Sequence, residues 1–179
     1  MAFLKRLLDT HQISDVLEAL DEPLVYRGRN LTIVIPRGFV TDFATIPWIF
    51  WAFFPRRGVW DKAAALHDYL LQRLRSKKPI VNARDCDGMF RRVLREEGVA
   101  PPKYWMMWTA VRWAALFDLS GHRQAGWWRD APLVLVWTVL SLPIVLPLTA
   151  GVLIALIPYA LYLVLALVWK GWTRVLGIR

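Results

Sequence analysis

The chain has a single cysteine, Cys86, among its 179 residues, which excludes an internal disulfide and agrees with a reducing compartment. It carries no Ser-His-Asp signature, no glycine-rich phosphate loop, no cysteine pairs at zinc spacing and no Rossmann fingerprint. Those gaps leave the enzyme classes most easily read from sequence without support. The first ten residues, Met1 to Thr10, lack both the apolar core of about 7–15 residues and the small-residue cleavage site of a secretory signal. Internal repeats and low-complexity linkers are lacking too. The most informative gap is longer. From Ala131 to Trp169, 39 consecutive residues contain no Asp, Glu, Lys, Arg, His, Asn or Gln.

As one helix that run is about 58 Å long at 1.5 Å per residue, roughly twice a ~30 Å hydrocarbon core. Two passes fit better, folding back near Pro147-Leu148-Thr149-Ala150-Gly151, with Pro143 and Pro158 kinking the two helices. Trp127, Trp128, Trp169 and Trp172 fall where interfacial aromatics belong, beside Arg129 and Lys170. Arg123 and Arg129 precede the first pass, Lys170, Arg174 and Arg179 follow the second, and the turn is uncharged. The positive-inside rule then puts head and C-terminus on the cytoplasmic side, with a short outside turn. A shallow re-entrant hairpin that never crosses is the alternative.

The overall charge of +9 is unevenly spread, with all 14 acids and 20 of the 23 bases in residues 1–130. A basic head beside a bilayer points to anionic lipids as partners, and nucleic acid is not indicated. Hydrophobic residues reach 56%, above the usual ~45–50% of a soluble domain, and the uncharged run accounts for the excess.

The remainder reads as an α+β head, with a small β-hairpin or sheet packed on three or more helices. Residues 13–20 predict a short amphipathic helix with Ile13, Val16, Leu17 and Leu20 on one face. Leu24–Arg27, a turn at Gly28-Arg29-Asn30, and Leu31–Ile35 predict strand, turn, strand, closed by Pro36 and Gly38. An irregular loop runs from Gly38 to Pro47. Helices are predicted over 60–75, over 83–97 with Asn82 as N-cap and Gly98 as stop, and over 102–119. The chain thus divides into a head at 1–128 and a membrane hairpin with a basic tail at 129–179.

Candidate chemistry concentrates between Phe39 and Asp87. Asp42 sits among Phe39, Val40, Phe43, Ala44 and Ile46, flanked by Thr41 and Thr45, and an ionised carboxylate there needs partners. It either fixes the loop through backbone N–H groups of Ala44 or Thr45, or faces His67 as a metal ligand or base. His67 lies on the apolar face of its helix with Asp68 beside it, and Asp87 shares a face with Phe90 and Leu94. Asp42, His67 and Asp87 are candidate ligands for one Mg²⁺, Mn²⁺ or Zn²⁺, with Asp68 orienting His67 or activating water. A buried, hydrogen-bonded histidine without metal is the competing reading. The aromatic runs Trp48–Phe54 and Tyr104–Trp108 suit either core packing or contact with membrane or partner.

Three blocks, Pro36–Pro47, Ala63–Leu70 and Arg84–Phe90, resemble domain-of-unknown-function family 1353 over roughly residues 24–115. The resemblance implies a phage or prophage origin and gives weight to Thr41, Asp42, His67, Asp68 and Asp87, with Thr45 and Arg84 as further block residues. It implies no established activity. The chain departs from the pattern in carrying Thr45 where serine is expected and in adding the hydrophobic C-terminal segment. The expectation is a membrane-anchored accessory or structural protein whose partners are the bilayer and other phage or host envelope proteins. A metal-assisted hydrolase of a phosphoester or cell-wall bond is the alternative.

Overall fold

A computed structural model describes residues 2–4, 8–15, 17–43, 51, 53–55, 57–76, 78–118 and 126–175. Two small antiparallel sheets precede four helices. The first sheet orders β1 (Ala2–Phe3), β4 (Leu24–Arg27) and β5 (Thr32–Ile35), and the second β2 (Thr10–Gln12), β3 (Glu18–Leu20) and β6 (Val40–Thr41). The helices are α1 (Asp61–Arg75), α2 (Ala83–Glu96), α3 (Pro101–Leu116) and α4 (Trp127–Val175).

The β4–β5 hairpin follows its sequence pattern, with Leu24 opposite Ile35 and Arg27 opposite Thr32. Alternation puts Leu24, Tyr26, Ile33 and Ile35 in the core, where β-branched and aromatic side chains fit the pleated face. Gly28 N–H closes the turn onto Leu31 O at 2.8 Å, and Gly38 takes the positive φ of 77° that ends the strand. The helix expected at 13–20 is instead a turn followed by β3. Eight residues are too few to nucleate a helix unaided, and Leu20 N–H finds Phe39 O at 3.0 Å while Glu18 and Ala19 pair with β6. Ile13 and Leu17 are consequently exposed, and Val16 lies outside the described residues.

Helices α1 and α2 follow their predicted limits closely. Ala63, Ala64, His67, Leu70 and Leu71 form the buried stripe of α1. Asn82 caps α2 by accepting Asp85 N–H at 2.9 Å, and Gly98, at φ 81°, stops it. Helix α3 starts on Pro101 and stops at Leu116, and the predicted end at Leu119 lies outside the described residues. One core joins the sheets to α1 and α2, and a second cluster of Trp108, Ala115, Trp127, Ala131 and Val134 joins α3 to α4.

The C-terminal segment departs most from expectation, because 49 residues form one helix where two were predicted. Pro132, Pro143, Pro147 and Pro158 are accommodated inside it, and Gly151 continues the helix. Hydroxyls bond carbonyls along the same stretch, Thr138 to Val134 O at 2.8 Å, Ser141 to Trp137 O at 2.6 Å and Thr149 to Val145 O at 3.0 Å. No polar turn residue competes with the helix there, so proline removes single bonds without reversing the chain. Up to Leu148 the helix lies against α3 and the head. From Leu153 to Lys170 every residue is exposed.

Candidate functional site

A wholly buried arginine organises the helices. Arg112 on α3 and Asp87 on α2 are both 0% exposed, and Arg112 Nη1 donates to Asp87 Oδ2 at 2.8 Å. Asp87 Oδ1 lies 2.8 Å from His67 Nε2 on α1. The other arm of Arg112, Nη2, stands 3.4 Å from Asp130 Oδ2 on α4, and Arg84 grips Asp130 through Nη2 at 2.7 Å and Nε at 3.0 Å. Trp127 completes the joint, its indole N–H donating to Arg112 O at 2.7 Å. One polar strut therefore ties all four helices together. A buried charge held this way resists removal of any partner, because what is left behind is an uncompensated ion.

The same strut sets the tautomer of His67. Asp87, already paired with the guanidinium, offers only acceptors, which assigns the ring hydrogen to Nε2 and leaves Nδ1 without a partner among the described residues. Phe90 packs on the imidazole with ring centroids 4.9 Å apart. A carboxylate behind a histidine in this manner orients it as a base toward whatever lies in front.

In front lies a cleft of about 820 Å³. Thr41, Asp42, His67 and Asp68 contribute to its wall from the β6 side and α1. Thr41 Oγ1 donates to Asp68 Oδ2 at 2.5 Å and accepts Phe43 N–H at 2.9 Å. That second bond holds Phe43, buried, at φ 57°, a left-handed backbone that a bulky residue adopts only under constraint. Loss of water pushes the Asp68 carboxyl up to about 6, opposed by the Thr41 hydrogen bond and the neighbouring His67, and assisted by the negative Asp42. Asp68 is thus a carboxyl that changes charge near neutral pH at the edge of a ligand-sized cavity.

Residues 18–111, just over half the chain, match the family described as Protein of unknown function (DUF1353). The chain belongs to that family. No curated protein and no solved structure matches it. The match begins six residues before and ends four residues short of the limits expected from the sequence blocks. Thr41, Asp42, His67, Asp68, Arg84 and Asp87 all lie inside the DUF1353 segment, whereas Arg112, Trp127 and Asp130 lie beyond it.

Within the DUF1353 segment the fold brings together Thr41, Asp42, His67 and Asp68 along the cleft, and places Asp87 behind His67, outside the cleft lining. Among the described residues no group of three or more His, Cys, Asp or Glu is arranged to hold a metal ion. Arg84, read as a block residue of the loop, serves instead as the clamp on Asp130. Thr45 lies outside the described residues, as do Trp48 to Phe50 and Ala52 of the aromatic run; of the rest, Trp51 is exposed, and Phe54 packs between Phe53 and Trp60 with centroids 4.9 and 6.4 Å apart. Trp127, expected at a membrane interface, is 5% exposed because its N–H is needed by Arg112, while Trp128, Arg129, Trp169, Lys170 and Trp172 are exposed. Sequence reasoning missed Arg112 and Asp130. Both carried a signal: Arg112 is the one cation inside an apolar helical stripe, and Asp130 is the last acid before 39 uncharged residues.

Proposed function

We propose that this DUF1353 protein is a membrane-anchored accessory protein of a phage or prophage, its α+β head held against the bilayer by α4. The observation that carries the reading is the division of α4. Its first half is fastened to the head through Asp130, Trp127 and Val134, and its second half, Val152 to Trp169, is 18 apolar residues with almost no protein cover. At 1.5 Å per residue that half is about 27 Å long, close to the ~30 Å of one hydrocarbon core. Trp169 and Trp172 with Lys170 then stand at the far interface.

This geometry favours a single pass, with the head and the C-terminal residues on opposite faces. Folding back at 147–151 gives two passes and both ends on the cytoplasmic face. Thr149→Cys and Ile178→Cys in the full chain separate the two: impermeant thiol labelling from outside at 178 alone supports the single pass, and at 149 alone the hairpin. Flotation with vesicles after alkaline extraction tests the anchor itself, and a chain left in the soluble fraction overturns it. With its phage-like blocks and no assigned reaction, the anchored head fits a part in virion assembly, genome delivery or contact with the host envelope.

A second reading has its own observation. His67, oriented by Asp87, and Asp68, shifted toward neutral pH, face one cleft, the constellation of a hydrolase acting on a phosphoester or cell-wall bond. Its test is a substrate screen with and without Mg²⁺, Mn²⁺ or Zn²⁺ in which His67→Gln abolishes turnover without lowering Tm.

A further inference from the structure

The cleft has two walls of opposite character. From the end of β6 and from α1 come Asp42, Asp68 and Arg75, two carboxylates and a guanidinium, together with Thr41, His67 and Gln72. From α3 and α4 come Met106, Val111, Leu142, Val145 and Leu148, a largely apolar surface in which the hydroxyls of Thr138 and Ser141 are bonded to carbonyls of their own helix. Thr109 on α3 also lines it, and its hydroxyl, in a residue only 5% exposed, has no hydrogen-bond partner among the described residues. A soluble polar metabolite matches only the first wall, and a hydrocarbon only the second. An amphiphile matches both.

We infer that the cleft holds one membrane phospholipid with an amine–phosphate headgroup of the ethanolamine type, its ammonium against Asp42 and Asp68 and its phosphate toward Arg75. The charge pattern selects the head. Two acids beside one arginine complement a zwitterion carrying both a hydrogen-bonding cation and an anion, whereas a purely anionic head meets two like charges. A trimethylated ammonium has no N–H to donate to a carboxylate. The Thr109 hydroxyl gives the ester region a donor it otherwise lacks. The source of the ligand follows from continuity, because Leu142, Val145 and Leu148 are the last docked residues of α4 before the bare stretch that starts at Val152. The apolar wall therefore runs directly into the segment read as membrane-spanning, and an acyl chain reaches it from the bilayer without crossing water. The cavity, about 820 Å³, lies within the ~300–1,000 Å³ range of ligand pockets.

This inference rests on the anchoring reading, and the test keeps the two apart. The full chain, delipidated in nonionic detergent, is titrated with dioleoylphosphatidylethanolamine, dioleoylphosphatidylcholine and dioleoylphosphatidylglycerol, and retained lipid is counted by native mass spectrometry. One phosphatidylethanolamine per chain is expected, preferred about tenfold over the other two, with Asp42→Asn plus Asp68→Asn erasing that preference. Val145→Trp, which fills the apolar wall and leaves the headgroup contacts intact, is expected to lower retention of all three lipids. Water-soluble glycerophosphoethanolamine is expected to bind at least about tenfold more weakly than the lipid. Equal retention of the three lipids, an unchanged preference in the double variant, or tight binding of the tail-free head each overturns the inference. Flotation with vesicles in the presence of any of these results leaves the anchor standing, and failure to float overturns the anchor alone.

Discussion

Two acids inside the same segment, nineteen residues apart, have opposite surroundings. Asp87 faces a buried guanidinium and an imidazole, and both its oxygens are engaged. Asp68 accepts one hydroxyl at 2.5 Å, feels a second carboxylate, Asp42, nearby, and lines an open cleft. The first arrangement lowers the energy of a charge that the fold needs, and the second raises the energy of a charge that the fold does not need. A carboxylate kept in the second kind of place contributes something other than stability.

The sharpest way to break the comparison is to remove the cation that makes Asp87 tolerable. Arg112→Met takes the buried cation from Asp87 and strips Asp130 of one partner, and a loss of about 3–5 kcal/mol is expected in denaturant unfolding. A loss under about 1 kcal/mol shows that water reaches the site and that the strut is not what joins the helices.

Asp68→Asn tests the other member of the pair and has the opposite sign. The folded carboxyl binds its proton up to about pH 6 and the unfolded one up to about 3.8, so between those values the folded state holds more protons. Stability from this group is therefore complete below about pH 4 and lost as pH rises through about 6. Asparagine still accepts the Thr41 hydroxyl and never ionises. The variant is expected to gain stability at pH 8, by at most about 3 kcal/mol, and to gain little at pH 4. A destabilised D68N protein at pH 8 makes Asp68 a structural acid like Asp87 and removes the contrast.

Thr41→Val sharpens it further. The methyl keeps the volume but removes the donor to Asp68 and the acceptor for Phe43 N–H, at a cost of about 1–3 kcal/mol. Because the donor no longer holds the carboxylate down, the Asp68 titration followed by NMR is expected to move higher still. An unmoved titration assigns the shift to Asp42 and burial alone. Arg84→Ala gives the smallest effect, a change in Tm near the error of measurement, since Arg84 is an exposed guanidinium and Arg112 keeps Asp130 partly paired.

Much of the head is legible because its signals are local. The β4–β5 hairpin follows from alternation and a Gly/Asn turn, and α1 and α2 follow from apolar spacing and the Asn82 cap. The segment at 13–20 misleads because its apolar spacing fits a single helical turn, whereas its end pairs as a strand with β2 just before it and with β6 some twenty residues on. The site divides in the same way. His67, Asp68 and Asp87 are recognisable as unusual, since polar groups stand on apolar faces there. That Asp87 spends itself on Arg112 and His67, while Asp68 looks into a cleft completed by α4, depends on how the helices pack.

The sequence by itself determined that one stretch of this chain is apolar enough for lipid, that an α+β head precedes it, and that a few acids and a histidine sit where acids and histidines are costly. Those are properties of composition and period, and each is decided within about twenty residues. Only the tertiary structure decided that the apolar stretch is one helix whose first half belongs to the head, and that Arg112 joins Asp87 to Asp130. The physical reason is range: a buried charge is stabilised by whichever opposite charge the fold brings within about 3–4 Å, and these partners are 18 to 46 residues apart in the chain.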